Sequence, residues 1–193
     1  GRASAVLTIH NLRFQGIYDR KMIQYWSGLP DYVFNKDCMI QNWLDANMLK
    51  GGIAYCNKIT TVSNTYAGEI QTEEYGEGLA EHLRYHNNKI RGIVTGIDKD
   101  NWNAATDKLL TANYDVESTV ENKKINKKAL QESLGLEVDD HKMVIGLISR
   151  LTNQKGLDLV NAVIPGIMDG NTQVVVLGTG DAWYEITFRY YEY

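Results

Sequence analysis

Cysteine is scarce in this chain. Only Cys38 and Cys56 occur in 193 residues, with no C-x-x-C spacing. That pattern excludes a disulfide framework and reads as buried or incidental thiols of a reducing compartment. No apolar run approaches the ~18 residues that a membrane helix requires. The opening "GRASAVLTIHN" lacks the long apolar region of a secretion signal. Positive charge is not in excess: 20 Lys and Arg face 24 Asp and Glu, for a net charge of −4. With a pI near 5.6 the chain carries no electrostatic footprint for nucleic acid. It also lacks a fixed-period repeat, a low-complexity tract and a Walker-type G-K-[ST] triplet. What remains is an ordinary globular composition, 44% hydrophobic and 23% charged. It is enough to build one large domain or two small ones.

Short apolar runs alternate with helix-like stretches. Residues 5–9 have a buried-strand pattern and lead into a polar, aromatic loop through Gly16. Residues 58–63, "KITTVS", are β-branched, and Ser63 or Asn64 is placed to cap a helix over "TYAGEIQT". A third short strand is expected over 92–94. Residues 98–120 read as a traverse between two lobes, anchored by Trp102, Leu109, Leu110 and Tyr114. A helix is expected over 122–136, with Ile125, Ala129, Leu130 and Leu134 on one face and Gly135 at its end. Then come a strand (143–149), a helix (156–168) and a strand (173–177), a β-α-β unit whose continuous apolar strands suit a parallel sheet covered on both faces. The strand-like start without Met and the amphipathic close "EITFRYYEY" read as an excerpt of a longer chain.

The first strand of that unit runs into "SRLTNQKG", residues 149–156. In open parallel sheets ligands bind beyond the carboxyl ends of the strands, where loops meet helix N-termini. Such an N-terminus offers amides and partial positive charge. Arg150 and Lys155 add a guanidinium and an ammonium, which together suit a phosphate or pyrophosphate. "GTGD", Gly178 to Asp181, repeats the arrangement after the next strand, with glycines that let a ligand approach the backbone. A pair of solvated loop cations and a tight turn explain the same residues without a ligand.

Several blocks, taken in order, resemble bacterial glycogen synthase and plant starch synthase: "LTIHNLRFQG", "LKGGIAYCNKITTVSNTYAGEI", "GIVTGIDKDNW", "ISRLTNQKGLDLV" and "VVVLGTGD". The resemblance covers residues 5–188. It implies an α/β fold of GT-B type, parts of two Rossmann-like domains with parallel sheets and an active site in the cleft between them. Residues 1–97 would be the C-terminal part of the acceptor-side domain. Residues 98–193 would be the linker and first part of the nucleotide-sugar-side domain. The implied reaction transfers glucose from ADP-glucose (UDP-glucose in some members) to the non-reducing end of an α-1,4-glucan, with retention and without metal or cofactor. By resemblance Arg150 and Lys155 contact the donor's phosphates, and His10 lies near the transferred sugar, with Asn11 beside it. Gly178, Thr179, Gly180 and Asp181 sit beside the nucleotide, more as scaffold than as contacts, and Thr95 lies near the active site.

The sequence departs from the family pattern. "TGID" places Thr95 where Asn is usual, "YCNKIT" places Asn57 for Asp, and "SNTYA" replaces "SPTYA". The donor-binding "KTGGL"-type loop and the glutamate-bearing "EPCGL"-type segment do not occur. The 193 residues are therefore expected to be inactive by themselves, and exposed strand edges to favour self-association. A nucleotide sugar and a glucan are the expected partners, nucleic acid and membrane are not, and the compartment is bacterial cytoplasm or a plastid. Two rivals are another retaining GT-B transferase and a non-catalytic nucleotide-binding or self-associating remnant.

Other clusters have plainer readings. His82 and His86, at i and i+4, are within reach of one metal but suit an exposed helix face. Trp26, Trp43, Trp102, Tyr18 and Tyr25 could stack on sugars but more often anchor cores. Lys50 reads as structural or rim. Glu69, Glu73 and Glu74 form a solvated acidic face.

Overall fold

The computed structural model describes residues 3–42 and 45–192. The chain divides into two compact units, Gly1–Ile97 and Asp98–Tyr193.

The first unit begins with β1 (Val6–Ile9), β2 (Ile17–Asp19) and α1 (Arg20–Ser27). It continues through β3 (Ile40–Asn42), β4 (Asp45–Asn47), α2 (Met48–Tyr55) and β5 (Lys58–Thr61). It closes with α3 (Asn64–Glu69), α4 (Ala80–Tyr85) and β6 (Ile90–Gly92). Strands β1, β5 and β6 form a parallel sheet in that order, with Ile9 opposite Thr61 and Ile59 opposite Ile90. Parallel neighbours need crossovers. Helix α2 lies in the first, and α3 and α4 form the second. The core joins Ile9, Leu12, Ile53, Ile59, Ile70, Leu79, Leu83 and Ile90.

A second sheet, antiparallel in the order β2-β4-β3, is not legible in the sequence. Its strands are three residues each, too short for alternation to register. Its own core is Ile23, Val33, Phe34, Met39 and Ala46.

Two boundaries are corrected. The strand expected over 92–94 lies at 90–92, because Ile90 is the residue that pairs with Ile59 in the core. Ile93 adds only an amide bond to the Thr61 carbonyl at 2.8 Å, and its side chain is exposed. Of the two candidate caps of α3, Ser63 performs the role, its Oγ accepting from the Tyr66 amide at 2.9 Å.

The second unit opens with irregular chain held by Asx turns at Asp98, Asn103, Asp107 and Asp115. Trp102 and Leu109 do not anchor it: they are 81% and 94% exposed. Helix α5 (Thr119–Ser133) starts three residues before the expected position and ends at Gly135, whose φ is +67°. Its apolar face is not its buried face. Ile125, Leu130 and Leu134 are exposed, while Gln131 is fully buried, its Nε2 donating to the Asp139 carbonyl and to Gln173 Oε1.

The β-α-β unit forms as expected, from β7 (Met143–Ile148), α6 (Leu157–Ile167) and β8 (Thr172–Leu177), followed by α7 (Ala182–Tyr190). β7 and β8 are parallel and in register from Met143–Thr172 to Ile148–Leu177. Their faces are not covered as expected, since no residue of either strand is buried. Burial concentrates instead beyond their carboxyl ends, at Leu151, Leu157 and Tyr184. No helix among the described residues is long and apolar enough to cross a membrane.

Candidate functional site

The two turns that are separate in sequence are one structure in space. After β7, the Ser149 amide donates to the Leu177 carbonyl at 3.2 Å, and the Leu151 amide to the Thr179 carbonyl at 2.9 Å. Leu151 and Gly180 form a parallel bridge, and the Asp181 amide returns to the Leu151 carbonyl at 2.8 Å. The glycines serve this crossing. A Cβ on Gly178 would lie 1.9 Å from the Ser149 oxygen, and one on Gly180 would lie 2.3 Å from the Leu151 oxygen. Close approach is real here, but to the chain's own backbone and not to a ligand.

The Gly180 amide is also taken, donating to Glu185 Oε1 of α7 at 2.9 Å. Asp181 caps α7 by position alone, with no side-chain capping bond. Gly178, Thr179, Gly180 and Asp181 thus have a visible scaffolding role.

Arg150 leaves this crossing exposed, and Lys155 closes a 3₁₀ turn, Asn153–Lys155, that is also exposed. Neither side chain hydrogen-bonds or ion-pairs with another described residue. Helix α6 starts one residue later than expected, because Gly156 adopts φ +66° and acts as its N-cap. The positive end of α6 and the two cations therefore occupy one short segment. The Thr152 hydroxyl between them is buried without a hydrogen-bond partner among the described residues. Chemically, the segment can hold a polyanion by charge and by a bidentate guanidinium contact.

Two residues of this region were not singled out by sequence reasoning. Tyr184 is buried against Leu151 and Leu157, and its hydroxyl donates to Asn153 Oδ1. The signal for it, an aromatic in the first turn of the helix after "GTGD", is too common to notice.

In the first unit, His10 is exposed just beyond β1, and Thr95 is exposed three residues beyond β6. Both leave the same end of the parallel sheet, on either side of β5. The His10 loop is well anchored. The Leu12 amide donates to Tyr66 Oη at 3.0 Å, and the Arg13 amide to Asn11 Oδ1 at 3.0 Å. Buried Gln15 donates from Nε2 to the Glu77 carbonyl at 2.8 Å and accepts at Oε1 from Asn47 Nδ2 at 2.6 Å. Asn47 Nδ2 also donates to Gln41 Oε1, while its Oδ1 caps α2 through the Lys50 amide at 2.9 Å. Glu77, held by this network, is at φ +46°.

The remaining candidates find structural places. Lys50 Nζ donates to the Ile40 carbonyl at 2.7 Å. The histidine pair is not an exposed face: His82 and His86 are half-buried, their rings edge to face at 4.8 Å, with His82 Nε2 3.1 Å from the Lys50 carbonyl. Glu73 pairs with Arg84 at 2.8 Å. Trp26, Trp102, Tyr18 and Tyr25 are all exposed and anchor no core, and Trp43 lies outside the described residues.

Comparison with known proteins follows the same lines. Residues 1–85 match the family model described as "Starch synthase catalytic domain". The chain is 49% identical over 189 residues to a glycogen synthase of Lachnospira eligens, covering 98% of this chain and 39% of the relative. It is 50% identical over 191 residues to a glycogen synthase of Thermotoga petrophila, covering 99% of this chain and again 39% of the relative. Among solved structures it is similar to the catalytic domain of starch synthase IV from Arabidopsis thaliana bound to ADP and acarbose. That similarity has a TM-score of 0.86 and 34% identity, over 98% of this chain and 38% of that one. The chain thus spans about two fifths of the length of the relatives it matches. The expected α/β class with parallel sheets holds, and the structural match is to a GT-B glycosyltransferase. Sequence blocks, fold and relatives agree: the chain is similar over nearly its whole length to glycogen synthases and to a starch synthase, and its residues 1–85 match the starch synthase catalytic domain.

Proposed function

We propose that this chain contributes to glucosyl transfer from ADP-glucose to the non-reducing end of an α-1,4-glucan, with retention of configuration. The observation that carries the reading is the pair Arg150 and Lys155, exposed, without partners among the described residues, and set beside the positive end of α6. On this reading they grip the diphosphate of the donor and offset the charge that grows on the departing nucleoside diphosphate. They serve where a metal would otherwise be needed, so no metal and no cofactor is called for. His10 lies beside the transferred glucose, Thr95 lies near the reacting groups, and the 178–181 turn supports the nucleotide. A relative bound to ADP and acarbose is in keeping with a nucleotide-sugar donor and a glucan acceptor. The first unit takes the acceptor-side role and the second the nucleotide-side role. The setting is bacterial cytoplasm or a plastid.

Calorimetric titration with ADP tests the reading. Arg150→Ala and Lys155→Ala should each weaken binding about tenfold or more, as charge-assisted hydrogen bonds are lost. Thermal stability should not change, because neither side chain holds the fold together. Equal ADP affinity in wild type and both variants would refute the diphosphate assignment. The 193 residues by themselves should transfer no glucose from ADP-glucose to glycogen, and robust turnover would refute that part.

A further inference from the structure

The crossing that joins the two turns fixes the chain only as far as Leu151, through its amide and carbonyl. Beyond it, residues 152–156 are held by short local bonds, from the Lys155 amide to the Thr152 carbonyl at 3.0 Å and from Gly156 to Asn153 at 3.1 Å. In such a turn, with an exposed lysine at its end, a bond to a distant element adds definition to its position. Tyr184 supplies a tether. Its ring is 4% exposed, packs with Leu151 and Leu157, and stacks on Phe188 at 6.4 Å with an interplanar angle of 19°. Its hydroxyl emerges at the turn and donates to Asn153 Oδ1.

We propose that Tyr184 is a positioning residue for anion binding: through Asn153 it sets where Lys155 stands relative to Arg150. The inference rests on the reading of those two cations as diphosphate contacts. A rigid aromatic ring fixed by packing has no rotamer freedom to lose, so a hydrogen bond from it transmits position well. A phenol is a hydrogen-bond donor at neutral pH, and burial, with the Asp158 and Asp181 carboxylates, raises this one further above its ordinary range. Lys155 is two residues from the tethered Asn153, before the left-handed pivot at Gly156. Release of the tether costs preorganisation, and the loss should fall on the diphosphate and not on the nucleoside.

The test uses the 193-residue chain as wild type, Tyr184→Phe, Asn153→Ala and the double variant. Amide exchange at Lys155 and Gly156 should quicken about tenfold in each single variant and no further in the double. ADP affinity should fall about 3- to 10-fold, as for loss of one hydrogen bond, while AMP affinity stays within about twofold. Unchanged exchange, an equal loss for ADP and AMP, or additive effects in the double variant would each overturn the proposal. If Tyr184→Phe does not fold, Asn153→Ala, at an exposed position, decides alone. Absence of ADP binding in the wild type would count against the proposed function, and the exchange rates would then decide this inference.

Discussion

Gly178 crosses the Ser149 carbonyl so closely that a methyl group in place of its hydrogen would lie 1.9 Å from that oxygen. The contact is between two backbones whose strands are already in register, so neither can withdraw without breaking the β7–β8 ladder. Gly178→Ala should therefore destabilise the second unit by about 2 kcal/mol or more, the range for forced overpacking. Gly146→Ala is the control, since a Cβ there meets nothing within 4 Å. Urea unfolding of both variants checks this, and equal midpoints would refute it.

Asn47 is a buried polar side chain of the first unit that serves Lys50, Gln15 and Gln41 at once. Its replacement by Ala removes a helix cap and leaves the buried Gln15 Oε1 and the partly buried Gln41 Oε1 without their donor. The expected loss is about 2–4 kcal/mol, the sum of a cap and an orphaned acceptor. Ser63→Ala, which removes a cap alone, should cost about 1 kcal/mol. Denaturant midpoints of the two variants give the ranking.

His86 gives the stability of the first unit a pH dependence. Burial first, then Lys89 and His82, push its pKa down to about 4. Burial lowers His82 as well. The folded value lies below the ordinary value near 6.5, so protons bind the unfolded chain preferentially. Stability is therefore complete above about pH 6.5, falls as pH drops toward 4, and levels off below that. His86→Gln should flatten the curve between pH 6.5 and 5, above the range where carboxylates titrate. An unchanged slope in that variant would assign it elsewhere.

Strands β7 and β8 pair only with each other among the described residues, and Met143, Ile148 and Leu177 are exposed. Unpaired apolar edges favour association. The chain should self-associate in light scattering at tens of micromolar concentration, and Val175→Lys should reduce it. A monodisperse wild-type monomer would contradict the expectation.

Residues 143–177 show what a sequence can carry. Two apolar runs separated by a helical period specify strand, helix and parallel strand, and the cations between them are placed by counting alone. Residues 17–47 show the opposite. Three-residue strands leave no periodicity to read, and their pairing is settled by contacts between distant positions such as Ile17 and Asn47. In α5, helical spacing gave the right helix and the wrong face, since the buried position is Gln131, whose Nε2 donates to the Asp139 carbonyl and to Gln173 Oε1.

By itself the sequence determined which elements form in the β-α-β unit, where Arg150 and Lys155 stand along them, and which family's blocks they resemble. Those are local properties, set by period and residue type. Only the tertiary structure decided that "SRLTNQKG" and "LGTGD" are one crossing, that its glycines accommodate backbone, and that Tyr184 reaches Asn153. Those depend on pairs of groups about thirty residues apart, whose hydrogen bonds exist only once the chain has packed.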